Sequence, residues 1–129
     1  MNGRFVLDTN IVIALIDEDP IVLARIEAVD ETLIPIIVMG ELFYGACYSR
    51  RSTENVAKVE ALTQSHTIVD LDVETARQYG IIKSVLRRNG TPIPNNDIWI
   101  AALARQYDAT LATRDQHFGS VENLNVSSW

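Results

Sequence analysis

Apolar residues in this chain come in short unbroken runs that alternate with longer stretches of helical period. Phe5, Val6 and Leu7 follow one another with no polar alternation, which predicts a strand over 4–7 buried on both faces. A helix is expected from about Asn10, through Ile11, Val12, Ala14, Leu15 and Ile16. A turn over 17–20 follows, and Pro20 suits the first turn of a second helix reaching about Val29. The run 33–38 reads as a second strand, with Pro35 marking an edge or an irregular end. Helices are expected over 38–48 and 52–65, and a third strand over 67–70. Asp72 looks like the cap of a long helix reaching Arg88, with Tyr79, Ile82, Val85 and Leu86 on its apolar stripe. Gly90 ends it in left-handed conformation, and 91–96 form a rigid loop. The stretch 97–106 is apolar almost all round and is therefore expected to be a buried helix. Strands over 110–113 and 124–126 close the pattern.

Strands that alternate with helices indicate an α/β domain around a mainly parallel central sheet, here of four to five strands. A length of 129 residues, with no repeat, low-complexity segment or linker, fits one domain over 1–129. Ligands in such folds bind beyond the carboxyl ends of the strands. Asp8 directly follows the first strand and Asp115 lies two residues past Thr113, so both belong to that edge.

Composition narrows the chemistry. The single Cys47 excludes an intramolecular disulfide and a cysteine-based zinc site, and its neighbours Phe43, Tyr44, Ala46 and Tyr48 suggest a small buried apolar residue. Met1 leads straight into a patterned strand without a leader, and no apolar run has the ~18 residues of a membrane span. A soluble protein of the reducing cytoplasm is the expectation. The formal charge of −6 argues against a non-specific nucleic-acid coat but leaves a nuclease open, because bound metal offsets an acidic centre. The pairs Arg50-Arg51 and Arg87-Arg88 suit helix C-termini and solvation, with contacts to substrate phosphates as the other reading.

Four acids flank the most apolar stretches: Asp8, Glu41, Asp97 and Asp115. Each has an ordinary explanation. Asp8 and Asp97 could cap helices, Glu41 could be solvated, and Asp115 could sit in a turn. Their recurrence at one sheet edge is not explained that way. Clustered carboxylates raise one another's pKa, and a divalent cation such as Mg²⁺ or Mn²⁺ is the simplest shared partner. Such a cation can activate water and stabilise a displaced oxygen in phosphodiester cleavage. Gly45, one turn past Glu41 on its helix, leaves room for a ligand or another backbone. The sequence has no Gly-rich phosphate loop with Lys and no Gly-x-Ser-x-Gly, which excludes a P-loop enzyme and a serine hydrolase of that type. His66 reads as a surface or capping residue, whereas His117, two residues after Asp115, is within reach of the site. Trp99 lies in the apolar helix and reads as core.

Leu-Asp-Thr-Asn (7–10), Gly-Glu-Leu-Phe-Tyr-Gly (40–45), Asn-Asp-Ile-Trp-Ile-Ala-Ala (96–102) and Thr-Arg-Asp-Gln-His-Phe (113–118) occur in the order of the PIN-domain ribonucleases. Over essentially its whole length the chain resembles the VapC toxins of bacterial toxin–antitoxin pairs. The resemblance implies a Rossmann-like three-layer PIN fold and a Mg²⁺-dependent endoribonuclease, with Mn²⁺ as an alternative ion. Asp8, Glu41 and Asp97 match the main metal-coordinating acids, and Asp115 matches the less regular fourth position. Thr9 and Thr113 match positions that often place a hydroxyl near the metal, while Asn10 is expected to cap the first helix. The resemblance also implies a homodimer and a cognate antitoxin that blocks the acidic pocket, with DNA contacted only through that antitoxin. Met39-Gly40 departs from the small polar residue and alanine common before the glutamate, and the fourth position is often Asn. Arg50, Arg51, Arg87, Arg88 and Arg114 are the candidates for RNA phosphate contacts.

Two other classes share an acidic pocket. A response-regulator receiver needs a Lys at the end of a late strand, whereas Lys58 and Lys83 both fall in expected helices. A catalytically silent PIN-fold interaction protein would not need all four acids.

Overall fold

A computed structural model describes residues 3–129, so the N-terminal residues on which the expectation of no leader rests lie outside the described residues. Phe5, Val6 and Leu7 form β1 (Arg4–Leu7) and are 2%, 0% and 0% exposed. Successive strand residues point to opposite faces, so burial of all three means that layers cover the sheet on both sides. The chain continues as α1 (Thr9–Ile16), α2 (Pro20–Ala28), β2 (Glu31–Pro35), α3 (Ile36–Tyr48), α4 (Ser52–Ser65) and β3 (Thr67–Val69). It ends with α5 (Val73–Arg88), α6 (Asn95–Gln106), β4 (Thr110–Thr113), a 3-10 turn (Gln116–Ser120) and β5 (Val126–Ser128).

The five strands lie in the order β3-β2-β1-β4-β5, and every pairing is parallel. From β1 the chain builds outward through β2 and β3, then returns to the other side of β1 with β4 and β5. The switch point is the β1–β4 seam, where Leu7 is in register with Ala112. In an open parallel sheet the ligand crevice lies beyond the carboxyl ends at such a seam.

Local chemistry explains most boundaries. Asp19 caps α2 through the Ile21 and Val22 N–H groups with Pro20 in the first turn, and Gly90 takes φ +68° after α5. Asp72 and Thr75 form a reciprocal capping box at the start of α5. The Thr75 hydroxyl is fully buried, accepts the Asp72 N–H at 3.0 Å and donates to Gln106 Oε1 at 2.5 Å. That bond joins the start of α5 to the end of α6. As expected, α6 buries Ile98, Ile100, Ala101, Ala102, Leu103 and Ala104.

Several expectations are corrected. The second strand occupies Glu31–Pro35 and the helix starts at Ile36, because Pro35 ends the strand and serves as the N-cap of α3. An unbroken apolar run does not by itself separate a buried strand from a buried helix, and Ile36, Ile37 and Val38 are helical. The last strand is Val126–Ser128 rather than 124–126, because an edge strand needs backbone pairing to β4 and no apolar run. Helix α6 starts at Asn95 after Pro94, so Asp97 is its third residue and not its cap. Cys47 is exposed on α3, which turns Leu42 and Ala46 inward. Trp99 is half-buried and stacks on Tyr79 of α5, with ring centroids 4.0 Å apart.

The buried Thr75 hydroxyl yields a stability test. Thr75→Val keeps the shape but removes the hydroxyl that joins the Asp72 N–H to Gln106 Oε1; both partners lie near water, so the expected cost is about 0.5–1.5 kcal/mol. Urea unfolding should show a lower midpoint with an unchanged slope.

Candidate active site

Asp8 follows β1 directly and is 4% exposed. It caps α1: Oδ1 accepts the Thr9 N–H at 2.8 Å, and Oδ2 accepts the Thr113 hydroxyl at 2.6 Å across the β1–β4 seam. Thr113, 1% exposed, in turn accepts the Asp115 N–H at 2.9 Å. Asn10 does not cap α1. Its amide reaches Asp8 at 3.4 Å, and its oxygen accepts the Arg114 N–H at 3.2 Å. These bonds set the ends of β1 and β4 and the following turn in one arrangement.

Asp97 enters from the first turn of α6 and Glu41 from the second turn of α3. His117 joins them from the 3-10 turn. Its Nε2 lies 2.9 Å from Asp97 Oδ2 and 2.8 Å from Asp115 Oδ2, and its N–H donates to Asp115 Oδ1 at 3.1 Å. The neighbouring Phe118 is fully buried and anchors this turn.

Electrostatics tie the four acids into one site. Burial pushes the Asp97 carboxyl up to about 6, and the charges of Asp8, Asp115 and Glu41 push in the same direction against the imidazole of His117. Burial also raises Asp8, opposed by the hydrogen bonds from Thr113 and Thr9. Glu41 is raised by burial first and by the Asp8 charge, with the Asn96 side chain opposing.

Two buried oxygens here, Thr9 Oγ1 and Glu41 Oε1, have no hydrogen-bond partner among the described residues. An unpaired buried acceptor next to like charges is costly. Oxygen donors with uncompensated negative charge fit a hard divalent cation.

Grooves flank Glu41 on two sides. One, of about 290 Å³, is lined by Thr9, Ile13, Glu41, Gly45 and Lys58; the other, of about 590 Å³, by Thr9, Ile36, Gly40, Glu41, Tyr44 and Asn96. A Cβ at Gly40 or Gly45 would meet nothing within 4 Å, so both glycines leave groove space open.

The sequence-derived arginines do not gather at the site. Arg114 turns from Asp115 to Asp19 Oδ2 at 3.1 Å and to the Trp129 main-chain oxygen at 2.7 Å, a structural clamp. Arg51 is exposed and pairs with Glu54, and Arg50 is exposed beside it. Arg87 and Arg88 lie in the last turn of α5, and Arg87 lines a cavity of about 450 Å³ with Asn95 and Ile98 of α6. Asn96, which the sequence offers only as part of the 96–102 motif, and Lys58, a lone helical lysine, join the groove lining without having stood out as site residues. Both become visible once α3, α4 and α6 are packed. No lysine follows β4, where the chain reads Arg114-Asp115, and the receiver reading fails there.

The model of the PIN domain matches residues 5–124. Ribonuclease VapC2 of Haemophilus influenzae is 34% identical over 129 residues, covering 98% of both chains. The tRNA(fMet)-specific endonuclease VapC of Shigella flexneri is 30% identical with the same coverage. Among solved structures, VapBC2 from Rickettsia felis bound to a DNA fragment from its promoter superposes with a TM-score of 0.90 at 29% identity, again over 98% of each chain. A chain matched over this length, carrying its acids at the seam of a five-stranded parallel sheet, belongs to the PIN-domain family and to its VapC group.

Proposed function

We propose that this chain is a metal-dependent endoribonuclease, the toxin of a type II toxin–antitoxin pair, which hydrolyses phosphodiester bonds of structured cellular RNA such as tRNA or rRNA in the cytoplasm. The observation that carries this reading is the convergence of Asp8, Glu41, Asp97 and Asp115 on one seam, with the Asp97 carboxyl held up to about 6 by burial and by the other three charges. The similarity to a ribonuclease of H. influenzae and a tRNA(fMet)-specific endonuclease of S. flexneri supports it.

Asp8, Glu41, Asp97 and Asp115 would hold Mg²⁺ or Mn²⁺. Bound there, such an ion supplies water activation and neutralises charge on the substrate phosphate. The chain's own residues do the rest. Thr113 and Thr9 fix the Asp8 carboxylate, and Thr113 also fixes the Asp115 backbone. The two grooves beside Glu41 give an RNA strand a route past the acids. Lys58 in one groove, Arg87 near the α6 N-terminus and the exposed Arg50, Arg51 and Arg88 are available for phosphates, whereas Arg114 is committed to its clamp.

The partner would be a VapB-like antitoxin that covers the acidic pocket and supplies the DNA contact; the similar structures from R. felis and Salmonella typhimurium are VapBC complexes bound to DNA. Tyr44 and Tyr48, 69% and 83% exposed and stacked at 5.9 Å, leave an apolar surface on α3 suited to a second copy in a homodimer.

Three outcomes test this reading. Asp8→Asn, Glu41→Gln and Asp97→Asn should each leave a folded protein with less than about 1% of wild-type cleavage of total RNA. Undiminished cleavage by the Asp97 variant would sink the proposal, whereas no cleavage of total RNA by the metal-loaded wild type would favour the silent interaction protein. Thr113→Val should lower activity roughly 10–100-fold while retaining metal, because it loosens Asp8 and Asp115 without removing a ligand.

The third outcome concerns pH. The folded-state pKa of Asp97 lies above its unfolded value, so between about pH 4 and 6 the metal-free native state binds more protons and loses stability as pH rises. Asp97→Asn should therefore be more stable than wild type at pH 7.5 by on the order of 1–2 kcal/mol once solvent screening of this partly exposed group is allowed for, with the gap closing below about pH 4. Burial lowers the His66 imidazole and gives the opposite slope, but equally in both proteins, so their difference isolates the site. Saturating Mg²⁺ should stabilise the wild type and narrow the gap. Equal melting of the metal-free proteins at pH 7.5 would contradict the clustering of charge.

A further inference from the structure

His117 brings a donor of different chemistry to the acidic set. Its Nε2 and one oxygen each of Asp97 and Asp115 lie within 4.8 Å of one another, with the nitrogen 2.9 and 2.8 Å from the two carboxylate oxygens. Adjacent corners of an octahedron whose bonds are about 2.0–2.1 Å stand about 2.8–3.0 Å apart. Both nitrogen–oxygen separations match that edge. A hydrogen bond has the same length, so spacing alone does not distinguish an imidazole that bridges two acids from one poised to share their ion. The surroundings favour sharing. The 3-10 turn holds Asp115 Oδ1 on the His117 N–H, leaving Oδ2 facing the ring. The buried Phe118 anchors the turn, and the ring itself is 42% exposed, so it can shift by the fraction of an ångström that coordination requires.

On the reading of this site as a metal centre, we propose that His117 Nε2 is a direct ligand of the bound cation together with Asp97 and Asp115, and that this nitrogen biases the site toward first-row transition ions such as Mn²⁺ over Mg²⁺. Coordination requires the neutral imidazole with its proton on Nδ1, leaving the Nε2 lone pair for the ion. Mg²⁺ strongly prefers oxygen, whereas imidazole suits the transition series, so replacing one oxygen by nitrogen changes the two affinities unequally.

Pulsed electron paramagnetic resonance of the full chain loaded with Mn²⁺ tests the proposal without reference to cleavage. The wild type should show nitrogen modulation that changes on ¹⁵N-histidine labelling. His66→Gln, which removes the other imidazole of the chain, should retain the modulation, and His117→Gln should lose it. By calorimetry, His117→Gln should weaken Mn²⁺ roughly 10-fold or more and Mg²⁺ less than about 2-fold. Stoichiometric Mn²⁺ without nitrogen coupling in the wild type would overturn the His117 assignment and leave the metal-dependent nuclease intact. No Mn²⁺ or Mg²⁺ binding at all would overturn both. The labelled wild-type spectrum decides the question even if His117→Gln fails to fold.

Discussion

The Thr113 hydroxyl is the atom on which the acidic site depends. It donates to Asp8 across the β1–β4 seam and accepts the Asp115 N–H, so the end of one strand, the cap of α1 and the turn after β4 share one fixed point. Being 1% exposed, it does this where water cannot substitute. The sheet order makes the contact possible, because β1 and β4 are neighbours only where the chain reverses its direction of growth. Both carboxylates thus inherit their positions from the paired ends of β1 and β4 at the centre of the sheet.

Positioning of this kind opposes stability. The arrangement that raises Asp97 and Glu41 would not survive if stability alone selected the residues, since like charges and unpaired buried oxygens each favour the unfolded chain. The remainder of the molecule compensates through ordinary means: a fully buried β1, an α6 packed on most of its faces, and capped helices. Arg114 illustrates the division. Beside Asp115 in sequence, it would neutralise the site if it faced inward; instead it binds Asp19 and the Trp129 backbone and leaves the carboxylate free for another cation.

Much of this was legible in the sequence, for identifiable reasons. The apolar run of β1, the Asp19-Pro20 start of α2, the Asp72 cap and the left-handed Gly90 are local signals, and each fell where the residues indicated. Boundaries decided by tertiary context were not legible. Pro35 ends β2 early because α3 starts there, and Val126–Ser128 is a strand only because β4 offers it partners. The same division holds in the site. Asp8, Glu41, Asp97 and Asp115 stood out as acids beside apolar segments. Asn96 and Lys58 had no such contrast with their neighbours, and His117 had only its closeness to Asp115. Cys47 misled because its aromatic neighbours are themselves exposed: Tyr44 and Tyr48 share the outer side of α3.

Both edges of the sheet are three residues long, Thr67–Val69 on one side and Val126–Ser128 on the other. So few free backbone groups make a poor template for another strand. Self-templated aggregation and β-augmentation by an extended peptide therefore have little to grip. Any macromolecule that engages this protein must recognise side chains on its helices and the grooves between them. Such recognition can be rewritten by surface substitution without disturbing the parallel core, leaving the choice of partner free to diverge while the acidic seam stays fixed.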